Sequence, residues 1–242
     1  MNLKSLLIPV SILIASIGST NVSNAQIKSV FDKAKSAVTG NSADGGDIAG
    51  GLKEALNNGV NAAVKQLSSQ NGYLESPYKI LIPEEAKKVI ARVKVLPGFG
   101  DVETKLINQM NQAAEIAAKK ATPIFVNSIK SMTFKDATTI LRGNENEATM
   151  YLSSTSRTPL YSEFMPIIQA SLDEVNARTY WKTVVDAYNK IPFTKKMNPS
   201  LDDHVNNKAL DGLFSLIAVK EKGIRTDVSQ RTSPLLKKVF GM

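Results

Sequence analysis

SLDDHVNNKALDGLFSLIAVKEKG, residues 200–223, is the stretch that decides the fold. Leu201, Val205, Ala209, Leu213, Phe214 and Ile217 recur at steps of three and four, which places them on one side of a helix. Ser200-x-x-Asp203 supplies a helix start, the first-turn acids suit the positive helix end, and Gly223 reads as the stop. Gly212 breaks the pattern. A glycine inside a helix costs about 1 kcal/mol relative to alanine, so something should offset it. Two readings are open: a close helix–helix crossing at Gly212, or a ligand or partner pressed against its bare backbone. Asp211 lies three residues after Lys208, so the two can pair on one face. Across the following turn Asp211 can also meet Arg225 or Arg231.

The same periodicity extends in both directions. Downstream, Ser233-Pro234 opens a short helix containing Leu235, Leu236, Val239 and Phe240. Upstream, Ile48, Leu52, Leu56, Val60, Ala63, Val64 and Leu67 share one helical face. Glu84 opens a helix through Val89, Ile90 and Val93. Asp101 starts another through Leu106 and Met110, with Pro123 as a kink or stop. Thr133-x-x-Asp136 resembles a capping box. Thr158-Pro159 reads as a cap followed by proline in the first turn of a helix through Leu160, Phe164, Ile168 and Leu172. Trp181, Val184 and Val185 mark one more. Tyr78 to Ile82 is strand-like but too short to build a sheet. The expectation is an all-α bundle or array of eight to ten helices with no significant sheet.

At the other end of the chain, Lys4 precedes a mostly apolar run from Leu6 to Ile17, and Ser23-Asn24-Ala25 follows as a small-residue end. That is the form of a secretory signal, with removal expected after Ala25. The run is shorter than the ~20 apolar residues a spanning helix needs, and Pro9, Ser11 and Ser16 interrupt it. The expected organisation is a signal peptide over 1–25, an amphipathic stretch and flexible linker over 26–46, and a single helical domain over 47–242. Thr39 to Gly46, small and polar, suggests the linker. No transmembrane segment is expected after signal removal.

The chain of 242 residues has no cysteine, which excludes thiol chemistry and cysteine-type zinc sites. Its formal charge is +8. For an exported protein the relevant anions are phospholipid headgroups, acidic glycans and acidic proteins, so nucleic acid is not an expected partner. The basic excess peaks at the end, where Lys220, Lys222, Arg225, Arg231, Lys237 and Lys238 outnumber Glu221 and Asp227.

Candidate chemistry is sparse. His204 is the only histidine, so a triad or multi-histidine metal site has no second imidazole. Asp202 and Asp203 beside it could complete a carboxylate–histidine site, but adjacent helical residues point apart. Ser76-x-x-Lys79 has serine–lysine spacing without the helix that would align the pair. Glu75, Glu84-Glu85 and Glu145-x-Glu147 are acidic pairs or neighbours of the kind glycosidases use, yet they sit at caps and loops. Gly98-x-Gly100 has no strand before it. No catalytic residue, metal site or cofactor is expected. Lys208, Asp211, Gly212, Arg225, Arg231, Lys237 and Lys238 are the expected interaction or structural network. Three readings remain: a non-enzymatic binding or structural protein contacting an anionic envelope component or envelope protein, a carboxylate-dependent hydrolase of envelope polymer, and a carrier of a small apolar ligand.

Several spaced blocks also match a known pattern. Lys208-Ala209-Leu210-Asp211-Gly212-Leu213-Phe214, Ile224-Arg225, Arg231 and Leu235-Leu236-Lys237-Lys238-Val239-Phe240-Gly241 resemble the C-terminal signature of domain-of-unknown-function family 4197 (DUF4197), an uncharacterised group of exported bacterial proteins. Asn111-x-Ala113-Ala114-Glu115, Pro123-Ile124-Phe125, Met132-Thr133-x-x-Asp136-Ala137, Ile140-Leu141-x-Gly143, Ala148-Thr149-x-Tyr151 and Phe164-x-Pro166 agree with it. The resemblance runs from about Ile48 to Gly241. It implies an envelope location and a helical fold, and brings no reaction and no established ligand. His204 stands where that pattern has an aromatic residue, which argues against a family-wide catalytic role for it.

Overall fold

The computed structural model describes the backbone of residues 24–197 and 200–241, and side chains from residue 46 onward except that of Glu85. Residues 1–23, which hold most of the expected signal peptide, lie outside the described residues. The helices are α1 (Asn24–Leu67), α2 (Glu84–Val93), α3 (Val102–Ala118), α4 (Ala121–Ser131), α5 (Phe134–Leu141), α6 (Glu147–Glu174), α7 (Ala177–Asn189), α8 (Asp202–Thr226) and α9 (Pro234–Phe240). A 3-10 turn, Val228–Gln230, separates the last two. The fold is an all-α array with no strand among the described residues, as the periodicity requires. The backbone of α1 is helical through residues 39–46, where composition suggests a linker. Asp44–Met242 forms one compact unit, described from here on.

The centre of that unit is the pair α6 and α8, with α3 packed on both. The apolar stripe of α8 is buried as read, and Phe214 meets Phe125 of α4 edge to face at 5.5 Å. In α1, Leu52, Leu56, Val60, Ala63 and Leu67 are buried. Gly51 faces the Val239 side chain of α9, and Gly59 faces Lys220 of α8. Trp181 of α7 is fully buried.

Three local expectations fail for identifiable reasons. The helix assigned to begin at Thr158-Pro159 is the second half of α6, which runs through Pro159 and Pro166. Each interior proline costs about 3 kcal/mol. Leu152, Leu160, Phe164, Ile168 and Leu172 are fully buried along both halves, at roughly 1.5–3 kcal/mol each. Burial therefore outweighs the two breaks. Both prolines lie on the exposed side, where water can reach the carbonyls they free. Gly223 does not end α8, which continues to Thr226. The Gln230 side chain folds back over it and occupies the space a Cβ would need. Gly212 is not at a helix–helix crossing: a Cβ there would lie 2.8 Å from Cε1 of Tyr73 and 3.2 Å from Cβ of Tyr78, both in the α1–α2 connection.

The capping expectations hold in part: α8 starts at Asp202, beside the expected Ser200-x-x-Asp203, but its N-cap position is Leu201 with no side-chain cap. Thr133 and Asp136 make a complete capping box on α5, and the Ser233 hydroxyl accepts from the Leu236 amide at the start of α9.

Candidate functional site

The α1–α2 connection has little regular structure, so its backbone groups need partners from elsewhere. Two residues of α3, four apart and therefore on one face, supply them. The Glu115 carboxylate accepts from the amides of Asn71 and Tyr73, each at 3.2 Å. Asn111 accepts from the Ile80 amide at 2.8 Å and donates to the Ile80 carbonyl at 2.9 Å. It thus pairs with an extended residue as a neighbouring strand would. Tyr73 inserts over Gly212, and its hydroxyl donates to the Ala209 carbonyl at 2.8 Å. Burial, and then the nearby Glu115 charge, push the Tyr73 hydroxyl pKa far above the usual phenol value. His204 of α8 completes the brace, with Nε2 2.8 Å from the Leu81 carbonyl.

A second clamp joins four helices. Glu221 of α8 accepts from the amides of Ala148 and Thr149 at the first turn of α6, at 2.9 and 2.8 Å, and from the Thr149 hydroxyl at 2.8 Å. A carboxylate is thereby placed on a helix N-terminus, where backbone donors and dipole both favour it. Arg225, one turn on, pairs with Glu221 at 2.9 Å and donates to the carbonyls of Ile140 and Leu141 at the end of α5. Its guanidinium also lies over the Phe240 ring of α9, 5.8 Å from the centroid. Arg231 donates to the carbonyls of Ile224 and Arg225, which closes the end of α8. At the other end of α8, buried Asp202 accepts from Gln169 of α6 and pairs with Arg178 of α7 at 3.5 Å.

The expected network is therefore divided. Asp211 does not reach Arg225 or Arg231, which serve the helix ends just described. Its partners are Arg157 of α6 at 2.6 Å and Lys208 at 3.5 Å, all partly exposed. Lys238 pairs with Asp47 at 2.6 Å, while Lys237 lies on the exposed side of α9. Asp202, Asp203 and His204 turn to different neighbours, with Asp203 accepting from the Tyr161 hydroxyl. Among the described residues, no group of three or more histidine or acidic side chains could hold a metal ion. The Ser76 hydroxyl donates to the Tyr73 carbonyl and accepts from the Tyr78 amide, both turn contacts. Glu75, Glu84, Glu145 and Glu147 bind Asn71, Lys87, Lys222 and the Asn144 amide.

Lys208, Asp211 and Gly212 are brought together with the braced connection. They line an open groove of about 470 Å³ with Tyr78, Leu81 and His204. A second hollow of about 350 Å³ shares Pro83, His204, Lys208 and Asp211 and continues past Trp181 and Asn207. Together they run along the outer side of α8. A polar hollow of about 440 Å³ beside Glu115 has no other acid in its lining, so it offers no carboxylate pair. The apolar hollow between α1, α8 and α9 holds about 10 Å³, room for about one water and not for a small apolar ligand.

Asn111, Glu115, Arg157 and Glu221 were missed as functional residues by the residue-level reading. Asn111 and Glu115 were visible only as part of a matching block. Glu221 carried a signal of its own, since it follows Leu213 and Ile217 by steps of four and precedes Ile224 by three. That places it on the buried face.

These features define a class: a helical scaffold whose buried charged side chains close helix ends and brace one connection beside an open groove. The chain belongs to the family described as protein of unknown function (DUF4197), whose model matches residues 42–241. No curated protein and no solved structure matches it.

Proposed function

We propose that this protein is a non-enzymatic binding protein of the cell envelope, which takes an extended segment of a protein partner in the groove beside α8. One observation carries this reading. The buried charged side chains among the described residues, Glu115, Asp202, Glu221 and Arg231, are all engaged with helix ends, connection amides or one another's helices. The groove's charged lining is Lys79, Glu84, Lys208 and Asp211, and the last two, about half exposed, pair with each other and Asp211 also with Arg157. Ring and aliphatic surface from Tyr78, Leu81 and Pro83 shares the lining with those charges. Leu81, 56% exposed, contributes apolar surface to it. Such a mixture suits a chain with alternating side chains better than it suits a bare lipid tail. The signal-like N-terminus over 1–25 supports the envelope location.

The basic C-terminal residues are a poorer choice of contact. Arg225 and Arg231 hold helix ends, so reversing their charge would disturb the fold itself. Affinity capture from the native envelope tests the reading, with wild type set against Lys208→Glu combined with Tyr78→Ser. A protein partner retained by wild type and lost by the folded variant is the expected result. Equal retention by both would remove the groove from consideration. N-terminal sequencing of the isolated protein checks the export step, with Gln26 expected first.

A further inference from the structure

The connection after α7 carries a feature that neither the core nor the groove accounts for. Lys190-Ile191-Pro192-Phe193-Thr194-Lys195-Lys196-Met197 is closed at its base by Asn189, whose side chain accepts from the Met197 amide at 3.0 Å and donates to the Met197 carbonyl at 3.2 Å. Inside the loop the Thr194 hydroxyl donates to the Ile191 carbonyl at 2.9 Å, and the Lys196 ammonium donates to the Asn189 carbonyl. The loop is therefore built, and it holds Phe193 at its tip. That ring is fully exposed, at 108% of the reference area. Its backbone has φ of 61°, in the left-handed region where a bulky residue is strained. Exposure and strain are both unfavourable in water, and a glycine or asparagine would relieve both. Among the described residues no contact covers the ring.

The charge along the loop is one-signed. Lys190, Lys195 and Lys196 are exposed, and no acidic residue occurs between Asp186 and Asp202. Asp186 is already paired with Lys182 at 2.7 Å, and Asp202 is buried. All three cations are lysines. Arginine forks suit fixed, bidentate carboxylates or phosphates, whereas flexible ammonium groups suit a fluid array of phosphates with no set geometry. An apolar ring that can enter the interface, ringed by lysines that remain at headgroup level, matches an anionic bilayer surface.

We infer that the loop 190–197 docks the protein on anionic phospholipid membranes, with Phe193 entering the interface and Lys190 and Lys195 contacting the phosphates, while Lys196 holds the loop closed on Asn189. Its tip is separate from the 470 Å³ groove, whose lining includes no residue of the loop, while Met197 at the loop's base lines the adjoining hollow. The test is co-sedimentation of the full, natively processed protein with vesicles of phosphatidylcholine and phosphatidylglycerol, against pure phosphatidylcholine vesicles. Binding is expected to the mixed vesicles and to weaken as salt rises. Phe193→Ser and, separately, Lys190→Glu with Lys195→Glu should each weaken it about tenfold or more. Phe193→Gly should abolish most binding while leaving the melting temperature equal or higher, because the strain is relieved. The groove variant Lys208→Glu with Tyr78→Ser should bind vesicles like wild type, so the two readings stand or fall separately. Absence of binding to mixed vesicles would overturn the inference. So would undiminished binding by Phe193→Ser, equal binding to a soluble acidic polysaccharide with or without the ring, or a lowered melting temperature in Phe193→Gly.

Discussion

Replacing Glu221 by alanine removes one carboxylate and strands groups on two helices, α6 and α8. The amides of Ala148 and Thr149 lose their acceptors, and Arg225 loses its counter-charge. An unsatisfied buried donor costs about 1–3 kcal/mol, and breaking a buried ion pair about 3–5 kcal/mol. These overlap, because the same carboxylate serves all of them, so the expected loss is about 4 kcal/mol. For a domain of this size each kcal/mol moves the melting point by about 2–4 °C, which gives a fall of roughly 8–16 °C. Glu221→Gln should also destabilise, since a carboxamide presents one oxygen and turns its own donors toward amides. Lys222→Ala, one residue away, breaks only the exposed pair with Glu145 and should cost less than about 1 kcal/mol. Urea unfolding of the four proteins measures the differences. Combining Glu221→Ala with Arg225→Ala should cost less than the sum of the singles, because they share one clamp. A loss below about 1 kcal/mol for Glu221→Ala would refute the idea that this carboxylate holds α5, α6 and α8 together.

Other outcomes follow from the same contacts. Gly212→Ala should destabilise by about 1–3 kcal/mol in thermal unfolding, because the new methyl meets the Tyr73 ring and Tyr78. Tyr73→Phe should cost about 1 kcal/mol by losing its bond to the Ala209 carbonyl. In a spectroscopic titration Tyr73 should resist ionisation while the protein stays folded. Its folded pKa is raised, so its contribution to stability is complete below the ordinary phenol value of 10.0 and is lost as pH rises beyond it. Asp136 works in the opposite sense: hydrogen bonds from Thr133 lower its pKa, so the start of α5 should loosen as pH falls through the acid range, and amide exchange there would show it. Asp211→Asn should alter stability by under about 1 kcal/mol, and less at high salt, because its pair with Arg157 is partly exposed.

Sequence patterning revealed what depends on local order. The stripe of α8, the capping box of Thr133 and Asp136, and the Ser233-Pro234 start of α9 are each set by residues within a turn or two of one another. The continuity of α6 was hidden, because Pro159 is a strong local stop and only the buried stripe on both sides of it overrides that signal. The partner of Asp211 was also hidden. Arg157 lies on a different helix, and no spacing rule connects them. Lys220-Glu221-Lys222 looks like a solvated charge run, and only the step from Ile217 marks Glu221 as inward. The groove needs the α1–α2 connection to be brought against α8 by Asn111, Glu115 and His204, so its shape has no counterpart in any single segment. The export expectation rests on the N-terminal pattern of Lys4, Leu6–Ile17 and Ser23-Asn24-Ala25, and the basic C-terminal surface on charge content, whereas Arg225 and Arg231 there are taken up by helix ends.

The central claim is that buried polar side chains serve as fixed acceptors and donors for backbone that has no helical partner of its own. Hydrogen exchange at the amides of Asn71, Tyr73, Ile80, Ala148 and Thr149 reads this most directly, since all five depend on the side chains of Asn111, Glu115 or Glu221. The expected result is slow exchange at all five, with Glu115→Ala releasing Asn71 and Tyr73 first. Exchange at the rate of an open loop in the unaltered protein would contradict it.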